Sequence, residues 1–472
     1  MFTDPREALA YIRKEKIAQI DVKVCDLQGR WRRMTYEAAN VGERLFAEGT
    51  GISLSPYPGY RSVEQGDMTV RPDVGTGFVD PFHARPTLAF LCDIYLPDGS
   101  RYPRDPRHVL QRAEQHLADL ELGAHALFSP EYEFYVLDQA SFHCADQAGS
   151  WAFESHGLGW GESPRALYPI GLVKLGQIDQ PLDRSCALRE AMVAKLEEAG
   201  IKVKYHHHEL GSPGQVEIEV LFTEPVRTAD EMMIARYIIH NTAIAHGKVA
   251  TFMPKPFSSH AGNGVHYHQY LTDGQRSLFY DPQGYAGLSR MALSYLAGQL
   301  EHTPALMGLG NASTNSYRRF APNLAAPVKL FFAKSNRSSA LRIPAYAINE
   351  RECRTEYRMP DATANPYLII AAQLMAGLEG VREKKDPSAM GFGPYDVNVY
   401  ALPPEEQAKL KDIPLSFEAA LSALDRDRGF LKHAGVFSDE LIDAWIDMKR
   451  VSEIAVVHGH PHPVEFDLYF DL

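Results

Sequence analysis

The chain has 472 residues, 45% hydrophobic, 23% charged and 10% aromatic, with a formal net charge of -12. That length is too great for one small core and predicts two or more domains of ordinary globular composition. The negative balance disfavours nonspecific attraction to nucleic acid or to an anionic membrane.

The leading MFTDPREALAYIRKEK mixes acids with bases and lacks the apolar core of roughly 7–15 residues that a secretory signal carries. The most apolar window, Tyr367 to Leu378, is far shorter than the roughly 20 residues of a membrane helix. Cys25, Cys92, Cys144, Cys186 and Cys353 are scattered without a CxxC pair, as expected of free thiols in a reducing cytoplasm.

In chain order, residues 5–17 predict a helix, with Ala8, Ala10, Ile12 and Ile17 set among charges. Alternation over Ile20 to Leu27 predicts a strand that Trp31 to Tyr36 can pair with across Gly29. Gly42 to Thr76, rich in Gly, Ser and Pro, reads as one long loop of the kind compact domains keep for function. A strand at Thr87–Leu96 completes a small α+β domain spanning residues 1–103. In the remainder, 104–472, a helix at Arg104–Leu120 precedes a strand at Ala126–Asp138, and 139–180 reads as irregular. Asp183 is expected to cap a helix ending at Gly200, with Leu188, Met192 and Leu196 on one face. Strands at Lys202–His208 and Gln215–Leu221 follow, and Thr228 with Glu231 reads as a capping box for a helix reaching Gly247. Strands near 263–271, 328–333 and 354–358 alternate with helices near 285–301, 364–380, 415–427 and 438–451. The order predicts an α+β fold, an antiparallel sheet with helices outside it, rather than a Rossmann arrangement.

Alternation also places the chemistry. Glu131 and Glu133 in SPEYEFY are two apart and share a strand face opposite Tyr132 and Phe134. Glu217 and Glu219 repeat this in QVEIEV, His266 and His268 in HYHQY, and Glu356 with Arg354 and Arg358 in RTEYR. One such strand is equally well a solvated surface; four from separate regions imply a sheet with a polar face. If that face is concave, crowded carboxylates demand cations. Glu131, Glu133, Glu209, Glu217, His266 and Glu356 are the candidate metal ligands, a hard-donor set suited to Mg²⁺ or Mn²⁺. Arg319, Arg337, Arg342 and Arg358 accompany them. Carboxylates holding two cations beside guanidinium groups are what phosphoryl transfer from a nucleotide requires. Of the run His206, His207 and His208, neighbours point to opposite faces, so the three cannot all reach one ion and each reads first as packing. No Walker A, GxGxxG or GxSxG motif is present, which disfavours P-loop and dinucleotide chemistry.

The motifs DMTVRPD, TLAFLCDIYLPDG, YPRDPRHVLQRAE, SPEYEFY, GQVEIEV, ATFMPKP, GVHYH, NSYRRFAP, NRSSALRIP and EYRMPDATANPYL together resemble type I glutamine synthetase, from about Phe2 to the C-terminus. The resemblance implies a β-grasp-like domain at 1–103 and a catalytic domain at 104–472 built on a curved antiparallel sheet. It implies a cytoplasmic dodecamer of two stacked hexameric rings, with each active site between neighbouring subunits. By position it makes Glu133, Glu209 and Glu217 ligands of a first cation, and Glu131, His266 and Glu356 ligands of a second among the nucleotide phosphates. Arg319 and Arg358 match arginines that grip glutamate, and Arg337 and Arg342 those that offset charge during transfer. Gly262 falls where backbone positions glutamate, His268 where a histidine contacts the nucleotide, and Tyr400 where some bacterial members are adenylylated. The implied reaction joins the γ-carboxylate of L-glutamate to the γ-phosphate of ATP, after which an amine displaces phosphate to form an amide.

Three departures from that pattern cluster at the amine. The family's GYEAPV glutamate, which holds ammonium, is replaced by Ala325 in APNLAAPV. The acidic FDGSS segment, contributed by a neighbouring subunit, reads AEGTG with Glu48 at the acidic position. The usual NGSG reads AGNG, with Ala261 in place of asparagine. Ammonium needs anionic partners to leave water, whereas a roomier, less charged wall suits an organic amine. The resemblance therefore points to a γ-glutamyl–amine ligase, in its boldest form a γ-glutamylanilide synthetase. A glutamine synthetase using ammonia is the alternative reading, and a noncatalytic structural or regulatory homologue the remote one.

Overall fold

Two sheets carry the architecture, and the computed structural model describes residues 2–60, 66–122, 124–145, 148–155, 158, 176–320 and 326–469. The smaller sheet begins after helix α1 (Pro5–Lys14), which starts where the Asp4 carboxylate accepts the N–H groups of Arg6 and Glu7. Strands β1 (Gln19–Cys25) and β2 (Trp31–Glu37) form the expected antiparallel hairpin. Gly29 turns it at φ +79°, and an added Cβ would press on the Asn365 backbone at 3.2 Å, so glycine suits both the turn and the contact.

The long loop expected over 42–76 is overturned. It contains α2 (Glu43–Ala47), β3 (Thr50–Ser53), β4 (Asp67–Pro72) and a 3₁₀ turn at Val74–Thr76. These strands are short, and their Gly, Ser and Pro content conceals an alternation in which Met68 and Val70 point inward. Strands β5 (Phe78–Asp80) and β6 (Thr87–Tyr95) complete a sheet of order β2-β1-β6-β4-β3, with β5 beside β6. β1 and β6 run parallel; the other pairs are antiparallel. Its core joins Ala8, Leu9 and Ile12 of α1 to Ile20, Val22, Val24, Leu88 and Phe90.

The larger sheet follows α3 (Pro106–Asp119) with β7 (His125–Leu137). Strands β8 (Gln139–Ala145) and β9 (Ala148–Glu154) then form a hairpin where irregular chain was expected. Its side chains are mostly exposed, so no apolar alternation marks it in the sequence. Helix α4 (Cys186–Glu198) has Ser185, not Asp183, at its N-cap position, because the Asp183 carboxylate is engaged by Arg189 at 2.6 Å. Next come β10 (Val203–His208), β11 (Gln215–Val220) and α5 (Pro225–Ala245). The predicted capping box is displaced: the helix opens on Pro225, whose fixed φ suits a first turn, and Thr228 lies inside that turn, bonding the Glu224 carbonyl at 3.0 Å.

Strands β12 (Val249–Thr251) and β13 (Val265–Thr272), helix α6 (Arg290–Gly310), and short strands β14 (Lys329–Leu330), β15 (Phe332–Lys334), β16 (Leu341–Ile343) and β17 (Thr355–Tyr357) lead to α7 (Pro366–Arg382). Helices α8 (Pro404–Gln407), α9 (Phe417–Arg426) and α10 (Asp439–Lys449) pack beyond them. The order is β10-β11-β7-β13-β17-β16-β15, with β12 also on β7, antiparallel except for β15 with β16. Tyr132, Phe134, Val216, Ile218, Val265, Tyr267 and Tyr357 share a core with residues of α5, α6 and α7. Each such buried side chain contributes roughly 1.5–3 kcal/mol, which fixes the pleat and turns the alternate residues to the opposite face. The fold is α+β, as the element order predicts.

Candidate active site

The register of the larger sheet assembles its polar face in rows. Glu217 of β11 lies opposite Glu133 of β7 on one side and His207 of β10 on the other. The next row pairs Glu219 with Glu131, and Glu131 with His266 of β13. A third pairs His268 with Glu356, and Glu356 with Arg342. Like charges directly opposite one another destabilise a sheet, so two Glu–Glu pairs in adjacent rows mark a face built against its own folding preference.

Two donor groups emerge. Glu131, His266 and Glu356 bring ligand atoms within 4.8 Å of one another, with His266 Nδ1 2.9 Å from Glu131. His207, Glu209 and Glu217 form the other, with His207 Nε2 3.3 Å from Glu217. Glu133 lies between them: its carboxylate is 3.8 Å from His266 Nδ1 and accepts the Gly264 N–H at 2.5 Å. Burial, reinforced by Glu209, raises the Glu133 carboxyl to about 8. Burial, with Glu131 and Glu133, also raises Glu217 well above the carboxylate range. Burial opposes ionisation of Glu131, yet His268 and His266 outweigh it and hold that group well below its usual value. Burial opposes ionisation of Glu356 as well, and Arg358 with Arg342 hold it at about 2. His266 is lowered to about 4 by burial and by Arg358, which leaves a neutral ring with a lone pair to offer. The raised carboxylates of Glu133 and Glu217, beside the ionised Glu131 and Glu356 and the imidazole of His266, are a donor set that fits hard divalent ions.

The arginines divide. Arg342 and Arg358 each clasp one oxygen of Glu356. Arg319 is buried, donating to the carbonyls of Met359 at 2.8 Å and Arg358 at 3.0 Å. Arg337 is exposed. Arg319, Arg337 and Arg358 line a cavity of about 440 Å³ together with Glu133, Glu209, Glu217 and His266. Its remaining wall includes Leu210, Ala261, Gly262 and Ala326. A Cβ on Gly262 would meet the Pro254 carbonyl at 2.6 Å, so the wall can come this close to Arg319 only at glycine.

His268 is fully buried with Nε2 2.8 Å from Glu131, and it does not line that cavity. Glu48 is exposed at the end of α2 in the smaller sheet's domain, paired with Arg44 at 2.6 Å and away from the cavity of its own chain. Ala325 lies outside the described residues, one position before Ala326 of the cavity wall. Tyr400 is half-buried, its phenol raised by that burial.

Two residues at the site lie outside the ligand set expected from the sequence. His207 is the one histidine of its run that shares a face with Glu209 and Glu217; continuing the two-residue period from Glu209 back to His207 finds it. Glu219 is fully buried beside Glu131, with one oxygen paired to Lys204 at 2.8 Å and the other without a hydrogen bond.

A small sheet followed by a larger one lined with acids, imidazoles and arginines is the framework of an enzyme that handles cations and anionic substrates. A model of the glutamine synthetase catalytic domain matches residues 103–469, and one of its β-grasp domain matches residues 16–97. The chain belongs to the glutamine synthetase family. It is 39% identical to glutamine synthetase of Frankia alni over 100% of both chains, and 40% identical to that of Methylococcus capsulatus over 99% of this chain and 100% of the relative. The fold is shared with Plasmodium falciparum glutamine synthetase, at TM-score 0.88, 24% identity and 99% coverage of each chain. A GmaS complex with ADP shares it at TM-score 0.82 and 24% identity over 100% of each chain.

Proposed function

We propose that this chain ligates an organic amine, arylamine or alkylamine, to the γ-carboxylate of L-glutamate through γ-glutamyl phosphate. Glu133, Glu209 and Glu217 hold one Mg²⁺ or Mn²⁺, and Glu131, His266 and Glu356 a second; these ions offset the charge of nucleotide and carboxylate. Arg319 and Arg358 orient glutamate at the cavity wall, and Gly262 admits it close to the backbone. Arg337 and Arg342 neutralise negative charge as it shifts from the γ-phosphate.

The observation that carries the amine assignment is Ala325, where the family places an ammonium-binding acid, next to a cavity wall that includes Ala326 and Ala261, the latter in place of an asparagine. Without that carboxylate, a compact cation gains nothing by leaving water, while an uncharged amine loses little. Glu48 reaches the site from a neighbouring copy in a two-ring dodecamer whose chains divide near residue 103. Phosphate release from ATP, measured with glutamate and a panel of aniline, alkylamines and ammonia, tests the assignment. Faster turnover with an organic amine than with ammonia is expected; ammonia exceeding every organic amine refutes it in favour of a glutamine synthetase.

A further inference from the structure

A second cavity, of about 700 Å³, lies where the smaller sheet's domain meets the helices of the larger one. Its size falls in the range of roughly 300–1,000 Å³ that small-molecule sites occupy, and such sites recur at junctions between domains. The tip of the β1–β2 hairpin supplies Arg30 and Trp31, one face of α5 supplies Arg236 and Tyr237, and the end of α10 with the turn after it supplies Lys449 and Glu453. None of these residues lines the cavity that holds Arg319 and Glu133. Three cations thus face one acid, in a chain whose net charge is -12. That acid is already taken by Lys449 at 2.5 Å, and nearby Asp26 is taken by Arg32 at 2.7 Å. Arg236 is half-buried, and its guanidinium meets the Gly29 carbonyl, the Ala362 carbonyl at 3.4 Å and the Met233 sulfur at 3.3 Å. Among the described residues no carboxylate pairs with Arg236 or with Arg30. Burial lowers the Arg236 guanidinium, and Arg30 lowers it further. A cation drawn from water without an anion is costly, and an anionic ligand relieves that cost.

One wall of this cavity, Ala362 and Thr363, continues a segment that Arg319 grips from the other side. Arg319 donates to the carbonyls of Met359 at 2.8 Å and Pro360 at 3.3 Å, while Arg236 donates to that of Ala362. We propose that the cavity is a regulatory site for a small dianion, a dicarboxylate or a phosphomonoester. Both present the paired anionic oxygens that guanidinium groups bind as a fork. Engaging the ion draws Arg236 from Ala362 and slackens the segment that holds Arg319, so glutamate binds less well. The regulatory half rests on the reading of Arg319 as a glutamate contact; the binding half does not.

Titration calorimetry of the full-length protein with inorganic phosphate and, separately, with succinate tests the binding half without catalysis. At least one ion should bind at a site that Arg30→Glu weakens by about tenfold or more and that Arg337→Ala, in the active cavity, leaves intact. Arg236→Leu should weaken the same site; Arg30 is exposed, so its variant serves if the leucine prevents folding. Tighter succinate makes this a dicarboxylate site, tighter phosphate a phosphomonoester site. No binding of either ion overturns the proposal, as does binding abolished by Arg337→Ala and unchanged by Arg30→Glu. For the regulatory half, the tighter ion should raise the KM for glutamate about fivefold, read from ADP formation, and the rise should vanish in Arg30→Glu. A rise that persists in that variant is competition at the active cavity and overturns the regulation, as does an unchanged KM. Absence of ADP formation with every amine would instead refute the proposed function, and the calorimetric result would still decide the site.

Discussion

Two of the acid–histidine clusters among the described residues look alike in composition and differ in what surrounds them. Glu301, His302 and Glu379 bring their ligand atoms as close together as Glu131, His266 and Glu356 do. Around the first, every charge has a partner. His302 bonds Asp427 at 2.8 Å and Glu379 at 2.5 Å, and Lys385 reaches Glu379 at 3.0 Å. Burial would lower the His302 ring, but the hydrogen bonds to Asp427 and Glu379 prevail and raise it to about 9. Burial likewise opposes ionisation of Glu379, and His302 and Lys385 hold it well below its usual value. In the sheet, Glu133 and Glu217 face each other beside Glu209 and are pushed upward instead. Proximity of donors does not separate a metal centre from an ion-pair network: Glu131 and Glu356 are also held ionised by partners, and it is the uncompensated Glu133 and Glu217 beside them that set the sheet cluster apart.

The comparison can be broken in four places. Glu131→Ala should reduce ATP turnover by roughly 100-fold or more whichever amine is supplied, because it removes a cation ligand. Undiminished phosphate release in that variant would take Glu131 out of the site. Mn²⁺ at about 100 times its dissociation constant should stabilise the protein by about 2.7 kcal/mol per occupied site, read as a calorimetric shift. His302→Gln should retain that whole shift and Glu356→Ala should lose part of it; the reverse pattern would assign the metal to the wrong cluster.

His302→Gln tests the closed network by pH. The folded ring is raised to about 9 from an ordinary 6.5, so its contribution is fully present below 6.5 and disappears as pH rises through 9. Loss of its charge-assisted hydrogen bonds should destabilise the protein by about 1.5–3 kcal/mol at pH 6, with little difference from wild type at pH 10. A difference independent of pH would mean that stacking on Phe430, at 4.0 Å between ring centres, accounts for the effect instead. The smallest change is expected for Ala325→Glu, which should shift preference from bulky amines towards ammonia by about tenfold, equivalent to ~1.4 kcal/mol. An unaltered amine profile would place the amine pocket elsewhere.

The alternation in SPEYEFY, QVEIEV, HYHQY and RTEYR was legible in the sequence because a strand's side chains repeat every two residues whatever lies next to them. Strands β3 and β4, hidden among glycines, serines and prolines, and the exposed hairpin β8–β9 were not, since pairing partners rather than local pattern hold them. The same two-residue period, carried back from Glu209, reaches His207, and the pairing of β10 with β11 sets it opposite Glu217.

What the sequence determined by itself was therefore the family, the α+β class and the inventory of acids, histidines and arginines, all properties of residue order. The tertiary structure alone decided which of them meet. Register set Glu217 against Glu133 and Glu219 against Glu131, and it brought Glu131 within hydrogen-bond distance of both His266 and His268. Those outcomes depend on distances between strands remote in the chain, and a hydrogen bond or a repulsion exists only at such a distance.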